Sequence, residues 1–310
     1  MIASIPSARW RASLAVAAFA TVTTVLAWAY WPALVELSHR WSQDPQYSHG
    51  WLVPLFAIAL LWFRRDLLPA TGPKPTWWGL PLLAGGITLR FVGYRFFFEW
   101  FDPISLIPCL AGAVLMVGGK RVWKWSWPAI AFLAFMIPLP FRLANALSDP
   151  LQHLATVTST FALQTIGLPA LAEGNTIQMD DRVINIVEAC SGLSMLIVFF
   201  AESTAFALVV RRPLWEKSLI VLSAIPIAVF SNILRITITG TFYEYVSDKA
   251  ADAFFHDVAG YLMPFVAFGL LWAELKVLGW LLIDPSADEP IRVDSEPPTC
   301  VQPRRRWKPA

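Results

Sequence analysis

The sequence predicts an all-α, polytopic integral membrane protein of about eight transmembrane helices, with a short extracytoplasmic β-hairpin. Three observations predict it. Of 310 residues, 56% are apolar and only 15% charged, against about 45–50% and about 25% in soluble domains. The 16 Trp and 21 Phe suit long apolar spans ringed by aromatic belts. On the layout below, 17 of the 24 Lys and Arg fall on the side of the N-terminus, the bias that marks cytoplasmic loops. These features exclude an ordinary soluble enzyme, a disordered chain and a secreted disulfide scaffold. No basic patch interleaved with aromatics calls for nucleic acid. The three cysteines, Cys109, Cys190 and Cys300, are too few and too scattered for a disulfide framework or a zinc site.

A spanning helix needs roughly 20 mostly apolar residues. After Arg9 and Arg11, the apolar run from Leu14 to about Val35 makes a first span that starts inside. No small-residue cleavage site follows it, so it is not a signal peptide. The stretch from Glu36 to Gly50 reads as a polar outer loop. The second span, Trp51 to Phe63, is closed by Arg64 and Arg65. A Pro-rich link, Pro69 to Pro75, leads to the third, Trp77 to about Arg95. The fourth runs from about Pro103 to Val117 and stops at Lys120, Arg121 and Lys124. The fifth runs from Trp127 to Phe141.

The next segment, Arg142 to Ala189, is placed outside. Leu143, Leu147, Leu151, Leu154 and Phe161 recur at helical spacing and predict a helix in the outer interface. Two β-prone runs, Asn175 to Met179 and Arg182 to Val187, flank Asp180-Asp181 and predict the hairpin. The sixth span, Cys190 to Val210, is closed by Arg211 and Arg212. The seventh runs from Ser218 to about Gly240 and the eighth from about Val258 to Ala273, with Leu275 to Ile283 continuing it along the inner surface. The tail from Asp284 to Ala310 is rich in Pro and charge and reads as disordered. Residues 1–283 are therefore one membrane-embedded domain, with both termini cytoplasmic. No internal repeat appears, which argues against a transporter built from two related halves.

Ionisable groups at membrane depth are costly and mark function by default. Three converge on the outer side: Cys190 at the mouth of the sixth span, Arg235 in the outer half of the seventh, and His256 at the start of the eighth. A helix N-terminus and a nearby cation lower a thiol pKa, and the thiolate is the nucleophile. An imidazole carries protons near neutral pH. A fixed guanidinium stabilises an oxyanion. The set describes acyl transfer through a thioester, although each residue alone also has an ordinary structural reading. Tyr47 and His49 shape the site or order the first loop. Glu188 orients Arg235 or caps the sixth helix. Ser191 and Asn232 flank the candidates. Arg142 or Arg182 is placed to pair with an acidic substrate group. No metal site or cofactor is expected.

Four stretches then show a resemblance: Glu188-Ala189-Cys190-Ser191-Gly192-Leu193, Asn232-Ile233-Leu234-Arg235, His256-Asp257-Val258-Ala259-Gly260 and Tyr47-Ser48-His49-Gly50. In their order and spacing the chain resembles the exosortase/archaeosortase family of membrane-embedded cysteine transpeptidases, over about residues 14–283. The resemblance implies a bacterial inner-membrane enzyme associated with exopolysaccharide production. Its substrates would be secreted proteins ending in a short motif, often Pro-Glu-Pro, then an apolar helix and a basic tail (PEP-CTERM-type signals). The new carboxyl end would pass to an unknown surface acceptor. It implies Cys190 as nucleophile, His256 as proton carrier and Arg235 as thiolate and oxyanion partner. An intramembrane hydrolase with the same residues, and a transporter, remain the alternatives.

Overall fold

Large apolar side chains face outward over much of this molecule. Trp28 is 80% exposed, Phe97 88% and Trp77 79%, whereas Ser105, Thr156, Ser159 and Ser231 are fully buried. That inversion of the soluble pattern suits a lipid surround, where apolar contact with the solvent costs nothing. The computed structural model describes residues 8–68, 74–179, 182–185, 192–210, 212–246 and 259–281, and these are mostly helical. The helices are α1 (Ala8–Ala29), α2 (Trp31–Gln43), α3 (Leu52–Phe63), α4 (Gly79–Phe96), α5 (Phe101–Phe132), α6 (Phe141–Thr165), α7 (Leu193–Val209), α8 (Leu214–Tyr245) and α9 (Ala259–Leu281). Three 3-10 turns, Pro45–Trp51, Arg65–Leu67 and Leu133–Met136, lie between them.

Each expected span has a helix at its place, but the count of eight is not established. Among the described residues, Phe101–Met136 and Leu214–Tyr245 are long and apolar enough to cross a membrane, and Ala17–Ala29 with Trp31–Gln43, bent by 65°, adds a third only when the bent pair is counted as one span. At 12 and 17 residues, α3 and α7 are shorter than a span needs.

The bend corrects two expectations. The first helix does not run unbroken to Val35, and Glu36 to Gly50 is not an open loop. Instead α1 stops at Ala29, and Pro32, in the first turn of α2, suits a fresh helix start. Tyr30 sits in the break. Its hydroxyl meets Ser105 at 2.8 Å and donates to Cys109 Sγ at 3.3 Å. The Arg90 guanidinium lies 4.3 Å above the Tyr30 ring centre, and Arg90 pairs with Asp102 at 2.8 Å. Cys109 is thus a free, buried structural thiol. Along α2, Ala33, Leu37 and Trp41 form a buried stripe at four-residue spacing.

The fourth and fifth expected spans are the two arms of α5, broken at Gly119, whose φ of 77° and ψ of −175° are not helical. Val114 and Ile130 share one apolar cluster with Ala111, yet sixteen residues of straight helix would separate them by about 24 Å. The chain therefore folds back at Gly119, and residues 120–132 pack along 101–118. A side chain here would be strained by the backbone angle and would run into the Lys74 carbonyl oxygen. Gly119→Ala is expected to cost about 1–3 kcal/mol or more, read as a lower thermal midpoint of the solubilised protein. An unchanged midpoint would contradict the hairpin. On the other face of α5, Gly79, Gly86 and Gly93 of α4 touch Gly112, Cys109 and Phe101 in turn, an antiparallel pair brought close by small residues.

The remaining helices frame the site. Met195 and Phe199 of α7 pack on Ala224 and Ala228 of α8. Leu151 and Ala155 of α6 lie beside Ala228, Val229 and Asn232, and Leu163 lies beside Gly240, so α6 runs in the same direction as α8. The expected helix at 141–165 is present, and its buried face mixes Ser148, Gln152, Thr156, Ser159 and Thr160 with Ala155 and Leu163, while Leu143, Leu147, Leu154 and Phe161 look outward. Most of its large apolar side chains therefore face the surroundings, whereas Leu151, Ala155 and Leu163 face the bundle.

The expected hairpin is β2 (Thr176–Met179) and β3 (Arg182–Asn185), antiparallel with Ile177 opposite Ile184 and Met179 opposite Arg182. A further strand, β1 (Leu171–Glu173), pairs with β2 and makes a three-stranded sheet. Three residues with no polar alternation gave no periodic signal for it. Ile177 and Met179 point to one side, as the two-residue period requires, onto Leu163 and Ile236.

The chain forms two compact units, Met1–Leu271 and Trp272–Ala310. The first contains α1 to α8, the sheet and the part of α9 up to Leu271, and Phe206 meets Phe268 of α9 edge-on within it. In the second, α9 continues to Leu281 and Lys276 lies over the Trp272 ring. The tail 284–310 lies outside the described residues.

Candidate active site

One face of α8 changes character along its length. Ala224 and Ala228 are buried, and then Ser231, Asn232, Arg235 and Thr239 are buried in their place. Four-residue spacing puts these groups on one stripe. The stripe is small and apolar against α7, then polar where α7 begins. Arg235, 7% exposed, donates from Nη2 to Asn232 Oδ1 at 2.9 Å. The Thr239 hydroxyl donates to the Arg235 carbonyl at 2.9 Å. A guanidinium excluded from solvent in this way has a fixed position and a strong field.

The start of α7 lies against this pair. Gly192 precedes the helix with a left-handed φ of 79°, and a Cβ there would sit 3.1 Å from Asn232 Nδ2. Leu151, Ala155, Gly192, Leu196, Ala228, Val229 and Asn232 line a narrow crevice among α6, α7 and α8. The sheet is tied to the same wall. Asn175 Nδ2 donates to Gln152 Oε1 at 2.6 Å, and Gln152 Nε2 donates to Ser148 Oγ at 3.0 Å.

The Tyr47-Ser48-His49-Gly50 stretch forms most of the first 3-10 turn. His49 Nε2 meets the Phe135 carbonyl at 3.2 Å. A carbonyl only accepts, so this ring nitrogen carries the proton. Burial holds the imidazole below its ordinary pKa of 6.5, which favours the neutral ring. Trp41 Nε1 donates to the next carbonyl, Met136, at 2.9 Å.

The structure therefore brings Asn232, which Arg235 bonds, to Gly192, and sets Tyr47 and His49 against the turn that follows α5. Arg142 is exposed in the first turn of α6. Arg182 opens β3 opposite Met179. Cys190, His256, Glu188 and Ser191 lie outside the described residues. Sequence reasoning missed Trp41, Gln152 and Asn175. Only Trp41 left a signal, as the last member of the Ala33–Leu37–Trp41 stripe. Among the described residues no group of His, Cys, Asp or Glu could hold a metal ion.

This fold and this buried arginine define a helical membrane protein with a polar site at one end of its bundle. The family model of the transmembrane exosortases (Exosortase_EpsH) matches residues 41–273. The chain belongs to that family. No curated protein and no solved structure matches it.

Proposed function

We propose that this protein is a cysteine transpeptidase that processes the C-terminal sorting signal of secreted proteins. The observation that carries the reading is the buried Arg235–Asn232 pair against Gly192, in a chain of the exosortase family. Cys190 stands two residues before Gly192, and two residues of chain reach at most about 7 Å. On this reading the Cys190 thiol works beside that buried cation, which would favour its thiolate.

Cys190 Sγ attacks the scissile carbonyl carbon, and the developing oxyanion is held by Arg235. The carbon–nitrogen bond breaks as His256 gives its proton to the leaving amine. The result is a thioester on Cys190 and a released fragment bearing the apolar helix and basic tail. An acceptor nucleophile then attacks the thioester, His256 takes its proton, and the thiolate leaves. The apolar crevice beside Gly192 offers a wall along which the substrate approaches. Arg142 or Arg182 is the candidate partner for an acidic group in the sorting motif. The site faces the outside of the bacterial inner membrane on this reading, with both chain termini in the cytoplasm.

The test is co-expression with a tagged secreted protein ending in Pro-Glu-Pro, an apolar helix and a basic tail, followed by mass analysis of the product's C-terminus. A shortened product with added mass is expected. A shortened product ending in a free carboxylate favours the intramembrane hydrolase. An unprocessed substrate contradicts this class of sorting signal.

A further inference from the structure

We infer that Trp41, His49 and Ser194 are positioning residues that fix the first turn of α7, and with it the chain bearing Cys190. The 3-10 turn Pro45–Trp51 lies between two parts of the molecule and is bonded to both. On one side, His49 Nε2 donates to the Phe135 carbonyl at 3.2 Å and Trp41 Nε1 donates to the Met136 carbonyl at 2.9 Å. Two aromatic donors thus hold two consecutive carbonyls of the turn Leu133–Met136. On the other side, the Ser194 hydroxyl donates to the Gln46 carbonyl at 3.4 Å. Ser194 is in the first turn of α7, four residues after Cys190.

Four further features hold the clasp together. Asp44 caps the 3-10 turn by accepting from the Gln46 amide at 2.9 Å, which helps to hold the residue whose carbonyl Ser194 reaches. Gly50 leaves no room for a side chain, because a Cβ there would enter the Trp41 ring. Trp51 meets Trp41 edge-on at 5.2 Å between ring centres. Tyr47 packs against the apolar cluster that holds Trp41, Phe132, Met136 and Ala201 of α7. The Tyr47-Ser48-His49-Gly50 sequence is therefore explained as a mechanical link rather than as acid–base machinery. His49 uses Nε2 to hold a carbonyl, and burial favours its neutral form.

A misplacement of about 1 Å in a catalytic group costs up to about 10²-fold in rate. The inference rests on the preceding reading only for Cys190 as nucleophile. The test compares full-length wild type with His49→Ala, His49→Gln, Trp41→Phe and Ser194→Ala in lipid vesicles. Two readouts are taken: processing of a synthetic peptide carrying motif, apolar helix and basic tail, and the rate of Cys190 alkylation by iodoacetamide, followed by peptide mass mapping. His49→Ala and Ser194→Ala are expected to lower kcat by about tenfold or more with KM unchanged, and to shift the Cys190 alkylation rate. His49→Gln, which keeps a donor of similar reach, is expected to restore most of both, and Trp41→Phe to fall between. Wild-type kcat in the alanine variants, or no rescue by Gln, overturns the clasp. If wild type processes no peptide, the transpeptidase reading fails, and the clasp is judged on alkylation alone. Equal alkylation rates in wild type and variants then overturn it.

Discussion

Cys190→Ala is expected to abolish processing of a sorting-signal reporter, with a fall of at least about 10⁴-fold, as when the nucleophile is deleted from other covalent enzymes. The size follows from the chemistry. Without sulfur no thioester forms, and the remaining groups serve only an uncatalysed attack by water. Cys190→Ser is expected to be almost as inactive, because a buried cation does little for a hydroxyl whose ionisation lies far above that of a thiol. Neither substitution changes side-chain volume by more than one heavy atom, so protein level and thermal midpoint are expected to stay near wild type. Quantifying full-length and shortened reporter by immunoblot and mass checks this. Retained processing by the alanine variant would remove Cys190 from the mechanism.

Arg235→Lys is expected to lower the processing rate by about 10²-fold, and Arg235→Ala by about 10³-fold. Lysine keeps the charge but loses the planar fork, so one group can no longer bond Asn232 and face the oxyanion together. The alanine variant also leaves Asn232 Oδ1, buried at 2% exposure, without its Arg235 donor, a loss of about 1–3 kcal/mol. The two variants therefore separate catalysis from stability. The lysine variant loses rate at near-normal stability, whereas the alanine variant loses both. A lysine variant with wild-type kcat would assign Arg235 to structure alone.

Much of this architecture was legible because membrane helices are set by composition and charge. The basic stops at Arg64–Arg65 and at Lys120, Arg121 and Lys124 do fall where helices end or turn back. Hydropathy could not show the bend at Tyr30, since Trp31, Ala33 and Val35 continue the apolar run. The bend is set by Pro32 and by tertiary bonds from Tyr30 to residues 75 and 79 positions away. β1 escaped because its three residues are held by β2 and not by their own pattern. The sequence pattern assigned no buried face to α6; the structure turns Leu143, Leu147, Leu154 and Phe161 outward and Ser and Thr in. Of the site, Arg235 stood out in the sequence as an ionisable group in an apolar stretch and Asn232 only as its neighbour; that the two are bonded is seen in the structure. The clasp was not, because its acceptors are main-chain carbonyls, which no sequence pattern marks.

The most direct test of a thioester enzyme is to see the thioester. Wild-type protein in lipid vesicles would be mixed with the synthetic sorting-signal peptide, quenched in acid within seconds and analysed by intact and peptide mass. The account predicts the N-terminal portion of the substrate attached to the Cys190 peptide, released by neutral hydroxylamine and missing from Cys190→Ala. Peptide processing with no adduct on Cys190, or with an adduct on Cys109 or Cys300 instead, would contradict it.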